Sequence, residues 1–154
     1  DGPSLSAHKV GFSVSLMLGG QIAGGPMRLY LVYAAGNFVE ATPDTPFLQI
    51  GETKYGKPML DRVLTHETGL VDGIKLTLIS MDDTLRSNLT VGLPLDLLVY
   101  VEGSLRIGLQ RRITEDDPYF RALRENWSNR LRDTYASLPV PDWLPPGEPP
   151  PIPV

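Results

Sequence analysis

The sequence has no cysteine and only two histidines. Without thiols the chain can form no disulfide, zinc–thiolate site or iron–sulfur cluster, and it has no cysteine nucleophile. His8 and His66 are too few for a histidine-rich metal centre. We therefore expect the protein to hold no metal and to need no cofactor.

Long apolar runs are also missing. The longest, residues 93–101, is broken by Pro94 and Asp96, whereas a helix that crosses a bilayer needs about 20 apolar residues. The chain does not open on a basic-then-apolar leader, and its net charge of −4 argues against a nucleic-acid surface. These absences predict a cytoplasmic protein that binds neither membrane nor nucleic acid.

Proline is unevenly distributed along the chain. Eight of the fifteen prolines fall within residues 139–153, where they favour an extended, polyproline-II-like tail. The 154 residues are enough for one domain with its own core. We predict a folded unit over residues 1–138 and a Pro-rich tail over residues 139–154. The tail is either a disordered end or an arm that lays Trp143 and Leu144 on a neighbouring subunit.

The first third of the chain alternates apolar residues with small or polar ones, which is the period of strands with one buried face. Short turns separate the first three strands, and this spacing predicts an antiparallel meander. A fourth short strand follows a loop with two prolines. The four predicted strands span residues 10–18, 27–33, 38–41 and 47–50.

The apolar period then becomes helical. It predicts two helices, two further strands and a last helix, whose start is marked by Asp116, Asp117 and Pro118. The first four of these elements span residues 55–64, 70–85, 89–100 and 105–113, and the last helix carries the apolar stripe Leu123, Trp127, Leu131 and Tyr135. Strands followed by consecutive helices, without βαβ alternation, indicate an α+β fold.

Residues 51–58 match the phosphate-binding pattern G-x-x-x-x-G-K, with Lys57 as its lysine. They follow a predicted strand and open a helix, so backbone amides could cradle phosphate and Asp82 could hold magnesium. Against this, Pro58 stands where a hydroxyl must bind the metal, and the predicted sheet is antiparallel. Nucleotide binding is therefore the least favoured function.

A second polar group of residues closes the long helix. Asp82 or Asp83, with Arg86 and Ser87, could form a hydrogen-bonded acid and hydroxyl. The same residues are also typical of an ordinary polar helix end. Spacing alone favours the ordinary interpretation.

Several stretches of the sequence resemble the proteasome-type peptidases, specifically the bacterial Anbu (ancestral beta subunit) subfamily. They are residues 18–22, 36–46, 47–58, 80–88 and 91–94. The resemblance implies an N-terminal-nucleophile hydrolase of αββα sandwich architecture, of which this chain is the C-terminal portion. It also implies self-association into a ring or spiral, and a peptide or amide substrate.

The resemblance also implies roles for particular residues. Gly51 matches the glycine of the Gly-Ser-Gly-Ser turn in proteasomal β-subunits, and Glu52 replaces its first serine, so both are implied to lie at the substrate edge. Asp82 or Asp83, together with Ser87, is implied to support the catalytic site. The spacing between acid and serine leaves the choice of aspartate open.

The nucleophile that the resemblance implies is an N-terminal threonine, serine or cysteine whose own α-amine, with a pKa of about 8, is the base. Asp1 cannot serve. We therefore expect the nucleophile to lie outside this chain and the chain alone to be inactive. Three functions follow in order of preference: a peptidase subunit, a non-catalytic assembly module of a ring or spiral, and a nucleotide binder.

Overall fold

A computed structural model describes residues 13–143, and in that part of the chain two small antiparallel sheets combine with three helices. In chain order the elements are β1 (Leu16–Gln21), β2 (Met27–Val32), β3 (Phe38–Glu40), α1 (Lys57–Val63), α2 (Leu70–Ser87), β4 (Leu95–Tyr100), β5 (Ile107–Ile113) and α3 (Pro118–Ser137). Strands, two helices, strands and a last helix are the predicted order. The α+β class is therefore confirmed.

β1, β2 and β3 form the predicted meander, in which each strand pairs antiparallel with the next. The turns between them need glycine, because Gly24 and Gly36 have φ angles of +79° and +87°, which other residues rarely adopt. Within the described residues β1 begins at Leu16 and extends beyond its predicted end to Gln21. Residues 10–12 of its predicted range lie outside the described residues.

The predicted fourth strand is wrong, since residues 47–50 pair with no strand in the described part of the chain. The preceding loop closes on itself through two backbone hydrogen bonds of 3.0 Å between Thr42 and Thr45. The chain therefore turns away before it could extend the sheet. The half-buried side chains of Phe47 and Leu48 instead line a cavity of about 440 Å³ beside α1.

β4 and β5 form a second antiparallel sheet. β4 begins later than predicted, after Pro94, because proline has no amide to donate to a strand ladder. β5 also begins later than predicted, because Leu105 has a left-handed φ of 51°. A hydrogen bond of 2.6 Å from the Gly103 amide to Gln21 Oε1 ties the turn of this sheet to the end of β1.

One face of α2 packs against the second sheet and the start of α3. Leu78 of α2, Ile113 of β5 and Phe120 of α3 form the centre of this core, and Phe120 is only 1% exposed. Partly buried apolar side chains surround them: Ile74, Leu85, Leu93, Leu95, Leu97 and Leu123. α2 therefore turns its apolar face toward this core.

α3 starts where the sequence predicts. The Asp117 side chain caps the helix by accepting a 2.9 Å hydrogen bond from the Phe120 amide, and it accepts another of 2.6 Å from Arg111 of β5. The Phe120 amide first, and Arg111 second, lower the pKa of Asp117. The predicted apolar stripe divides, since Leu123 packs on the core whereas Tyr135 is 79% exposed.

α3 ends at Ser137, just before the run of prolines. Val140 and Trp143 beyond it are both largely exposed. Residues 144–154, most of the predicted tail, lie outside the described residues. The boundary at residue 138 and the arm therefore remain predictions.

α1 meets α2 at Gly56, which is buried at the start of α1. A Cβ atom placed there would lie 2.3 Å from Ser80 Oγ, 2.7 Å from the Ser80 carbonyl oxygen and 3.0 Å from Thr84 Oγ1. Only glycine lets the two backbones approach this closely. The close contact holds the loop before α1 against the C-terminal half of α2.

Gly56→Ala should lower the free energy of unfolding by about 2 kcal/mol, because one of the two helices must move to admit the methyl group. The matched control is Gly73→Ala in α2, where no atom of the described residues lies within 4 Å of an added Cβ. There alanine should favour the helix by about 0.5–1 kcal/mol. Urea denaturation measures both effects, and equal stability of the two variants would contradict the close contact.

Candidate functional site

The C-terminal part of α2 carries two consecutive aspartates, and the first of them is the more buried. Asp82 is only 2% exposed. Its Oδ2 accepts a 2.9 Å hydrogen bond from Nε of Arg86, one turn later in α2. Its Oδ1 accepts a hydrogen bond from Nε of Arg124 in α3. Arginines thus occupy both oxygens and compensate a charge whose burial is otherwise costly.

The second aspartate, Asp83, has different surroundings. It lies about 100° further round the helix and is half-buried, and among residues 13–143 its carboxyl has neither a hydrogen bond nor an ion pair. Burial raises the pKa of Asp83, the neighbouring charge of Asp82 raises it further, and Arg86 opposes both. A carboxyl of this kind is able to exchange a proton or to accept a new hydrogen bond.

The remaining predicted site residues meet at the end of α2. Ser87 is the last residue of the helix and is exposed. Asn88 donates a 3.1 Å hydrogen bond from Nδ2 to Glu52 Oε2, across 36 residues of sequence. The structure therefore brings Glu52 to the end of α2, but within the described residues no hydrogen bond joins Ser87 to either aspartate.

The loop that matches the phosphate-binding pattern is poorly arranged for phosphate. Gly51 adopts a φ of +79°, but the strand expected before it is not formed. Oε1 of Glu52 accepts a 3.1 Å hydrogen bond from the Lys54 amide, and Lys57 Nζ binds both oxygens of Asp61 at 2.6 and 2.7 Å. Carboxylates thus occupy this amide and the lysine, which disfavours a second anion there.

A cavity of about 690 Å³ lies at the other end of α2, between that helix and the two sheets. Gly73 and Thr77 line it from the helix, and Met27 and Leu98 line it from the sheets. At 1.5 Å per residue, Thr77 and Ser87 are roughly 15 Å apart along the helix axis. The residues that line the cavity include no carboxylate, so it is separate from the two aspartates.

Residues 13–143 contain neither a metal-binding cluster nor a membrane-spanning helix. No three histidine or carboxylate side chains there lie close enough together to share a metal ion. None of the helices in that range is both long enough and apolar enough to pass through a membrane.

Sequence reasoning missed Arg124. The residue lies 42 positions after Asp82, in a helix with several other arginines, and no periodic signal distinguishes it. Its one local signal is its position four residues after Phe120, over whose ring its guanidinium lies at 5.4 Å from the centroid. That spacing predicts a contact within α3 but not the partner on α2.

No family model and no curated protein matches the sequence. Among solved structures the chain is similar to Anbu (ancestral beta-subunit) from Yersinia bercovieri, with 53% identity and a TM-score of 0.81 over 83% of this chain and 58% of that one. It is similar to the helical assembly of the Anbu complex from Pseudomonas aeruginosa, with 52% identity and a TM-score of 0.82 over 92% and 61%. It is also similar to Anbu from Hyphomicrobium sp. strain MC1, with 47% identity and a TM-score of 0.82 over 89% of this chain and 59% of that one. The chain thus spans less than two thirds of these relatives' length.

Asp82→Asn should destabilise the fold by about 3 kcal/mol, because it leaves Arg124 facing a neutral partner in a buried site. Asp83→Asn is the matched control, since it makes the same change one residue away on a carboxyl that has no bonded partner among residues 13–143. Urea denaturation near neutral pH measures both variants. If Asp83→Asn lowered the free energy of unfolding as much as Asp82→Asn, this would contradict the different surroundings of the two acids.

The pH dependence of the control follows from the raised pKa of Asp83. Above that pKa the native wild type carries an unfavourable charge, so Asp83→Asn should be at least as stable as wild type. Below the unfolded-state pKa of about 3.9 the carboxyl is protonated in both states, and this contribution should vanish. The stability gap should therefore widen as the pH rises through this window, and a gap that narrows would contradict the raised pKa.

Proposed function

Because the chain belongs to the Anbu (ancestral beta-subunit) proteins, we propose that it is the C-terminal portion of a proteasome-type threonine peptidase subunit. The subunit hydrolyses peptide or amide bonds with an N-terminal nucleophile that is not among the residues of this chain. The chain contributes Asp83 and Ser87 as supporting groups, and Gly51 and Glu52 as the substrate edge.

The αββα sandwich that we propose for the whole subunit explains why apolar side chains on two strands of this chain are exposed. Leu16 and Leu18 of β1 are 60% and 64% exposed, and Ile107 and Leu109 of β5 are 54% and 46% exposed. Soluble domains rarely leave large contiguous apolar areas uncovered. The solved relatives extend well beyond the part that this chain matches, and in the proposal further chain covers these strands.

The observation that carries the proposal is the hydrogen bond between Asn88 and Glu52. It joins the two segments to which the family resemblance assigns the supporting acid and the substrate edge. The groups of such a site come from separate segments and must be held together for reaction. Their meeting at one end of α2 supports a site there.

The proposed chemistry gives each group one task. The α-amine of the nucleophile, with a pKa of about 8, takes the proton of the attacking hydroxyl. Asp83, which has a raised pKa and no bonded partner among the described residues, accepts a hydrogen bond from the resulting ammonium group. The exposed hydroxyl of Ser87 can both donate and accept a hydrogen bond beside it.

The test uses the full-length subunit and fluorogenic peptide amides. Asp83→Asn and Ser87→Ala should each lower kcat/KM at least about tenfold, because the first removes the negative charge that the ammonium group would face and the second removes a hydroxyl. Asp133→Asn and Ser128→Ala, both on α3, are the matched controls and should keep the wild-type rate. Denaturation midpoints, measured alongside, separate lost function from lost folding.

The chain alone should hydrolyse none of these substrates. Hydrolysis by the chain alone that is lost in Ser87→Ala would overturn the proposal, because the nucleophile would then lie in this chain. Wild-type rates in both Asp83→Asn and Ser87→Ala would mean that the end of α2 takes no part in the reaction, and would overturn the roles proposed for these residues.

A second function, assembly through self-association, is favoured by the outer half of α3. Leu131 and Tyr135 are 48% and 79% exposed, and their spacing of four residues places them on one face of the helix. Leu138, directly after the helix, is 60% exposed. Trp143 beyond the helix is 76% exposed. One similar structure is a helical assembly of the Anbu complex. The two functions are compatible, since a peptidase subunit can also be a part of an assembly.

Replacing Leu131 and Tyr135 together by serine should reduce the oligomer to smaller species, because apolar area that the assembly buries is lost. The same double change at Asn129 and Asp133, exposed polar residues of α3, is the control and should leave the oligomer intact. Multi-angle light scattering at micromolar concentration measures the mass. A monomeric wild type, or an unchanged oligomer in the first variant, would contradict assembly through this face.

A further inference from the structure

We propose that Arg124 of α3 is a positioning residue for the candidate site at the end of α2, and that it acts through the buried carboxylate of Asp82. The significance of that site rests on the function proposed above. Arg124 forms no hydrogen bond with Asp83 or Ser87 among the described contacts, so its effect on them must pass through its partner.

Asp82 connects the last turn of α2 to the rest of the molecule. The last carbonyl groups of a helix have no partner within it, so this turn is the part that opens most easily. Arg86 belongs to that turn, and its 2.9 Å bond to Asp82 ties the turn to a residue in the interior. Arg124 occupies the other oxygen and ties the same carboxylate to α3.

Arg124 is itself held in place. Its side chain is 30% exposed, compared with 50% for Arg86. Its guanidinium lies over the ring of Phe120 at 5.4 Å, and a planar guanidinium on an aromatic face loses little further freedom when it binds a carboxylate. Because Phe120 is only 1% exposed, the arginine that stacks on it is held in a fixed position relative to the core.

The start of α3 is anchored to the second sheet. Asp117 binds the Phe120 amide with one oxygen and Arg111 of β5 with the other. A continuous series of contacts therefore runs from β5 through the start of α3 to Arg124, and from there to Asp82. The position of the last turn of α2 is set relative to β5 by this series.

Stabilisation and positioning make different demands on Arg124. An ion pair that only stabilises the fold protects every slowly exchanging amide to the same extent when the whole chain unfolds. A positioning residue protects chiefly the segment that it holds. Amide hydrogen exchange, which reports opening segment by segment, distinguishes the two.

The experiment compares Arg124→Gln, Arg124→Lys and Arg130→Gln in the full-length subunit by hydrogen-exchange mass spectrometry. In Arg124→Gln the amides of residues 84–88 should exchange at least about tenfold faster, and this increase should exceed that of the slowly exchanging amides of β4, which reports the loss of global stability. Arg124→Lys retains a charge for Asp82 and should give an intermediate increase. Arg130, an exposed arginine of the same helix, is the control and should show no change.

Peptide hydrolysis by the same variants gives the second measurement. Arg124→Gln should lower kcat with little change in KM, and Arg124→Lys should restore part of kcat. Unchanged exchange at residues 84–88, or an equal increase in all segments, would overturn the positioning role. If Arg124→Gln does not fold, Arg124→Lys decides by the same criterion. If the wild type hydrolyses nothing, the proposed function fails, and the exchange result alone supports or overturns the positioning of the helix end.

Discussion

The arrangement of the helices depends on how the negative charge of Asp82 is accommodated in the interior. A carboxylate that is 2% exposed needs cations, and these come from two directions, from Arg86 along α2 and from Arg124 on α3. This requirement fixes where α3 crosses α2, and with that crossing Phe120 enters the core beside Leu78. A buried ion pair adds little net stability compared with apolar residues of similar size. Its main consequence here is geometric, because it selects one crossing of the two helices.

The opposite side of α2 is fixed by a steric constraint. Gly56 lies so close to Ser80 and Thr84 that no side chain fits between the helices, and Thr84 Oγ1 donates a 3.0 Å hydrogen bond to the Ser80 carbonyl, so its hydroxyl is satisfied without another partner. α1 arrives at this contact directly after the loop that contains Glu52. The close contact and the bond from Asn88 to Glu52 therefore act together, and both hold the loop against the same helix.

The parts of the fold that could be predicted are those that depend on neighbours in the sequence. The apolar period predicted α2 to within two residues of its end, and the two acids before α3, with the proline that opens it, predicted its start. The same reasoning gave a wrong prediction for residues 47–50, because a short apolar run between turn residues fits either a strand or a packed loop. Only a partner strand decides between the two, and the prolines and the closed turn at Thr42 and Thr45 direct the chain away from one.

The candidate site shows the same limit of sequence-based prediction in the choice between two consecutive residues of α2. Asp82 and Asp83 have the same chemistry and differ by about 100° around the axis, so the pattern left both open. Arg124 separates them from 42 residues away, and a contact at that distance leaves no periodic signal. By occupying Asp82 from α3, it leaves Asp83 as the carboxyl that can form a new bond. Because the helix ends only a few residues later, contacts from α3 can adjust this turn while the core formed by Leu78 stays in place. Asp83 can thus form a new bond because the arginines bind Asp82 instead.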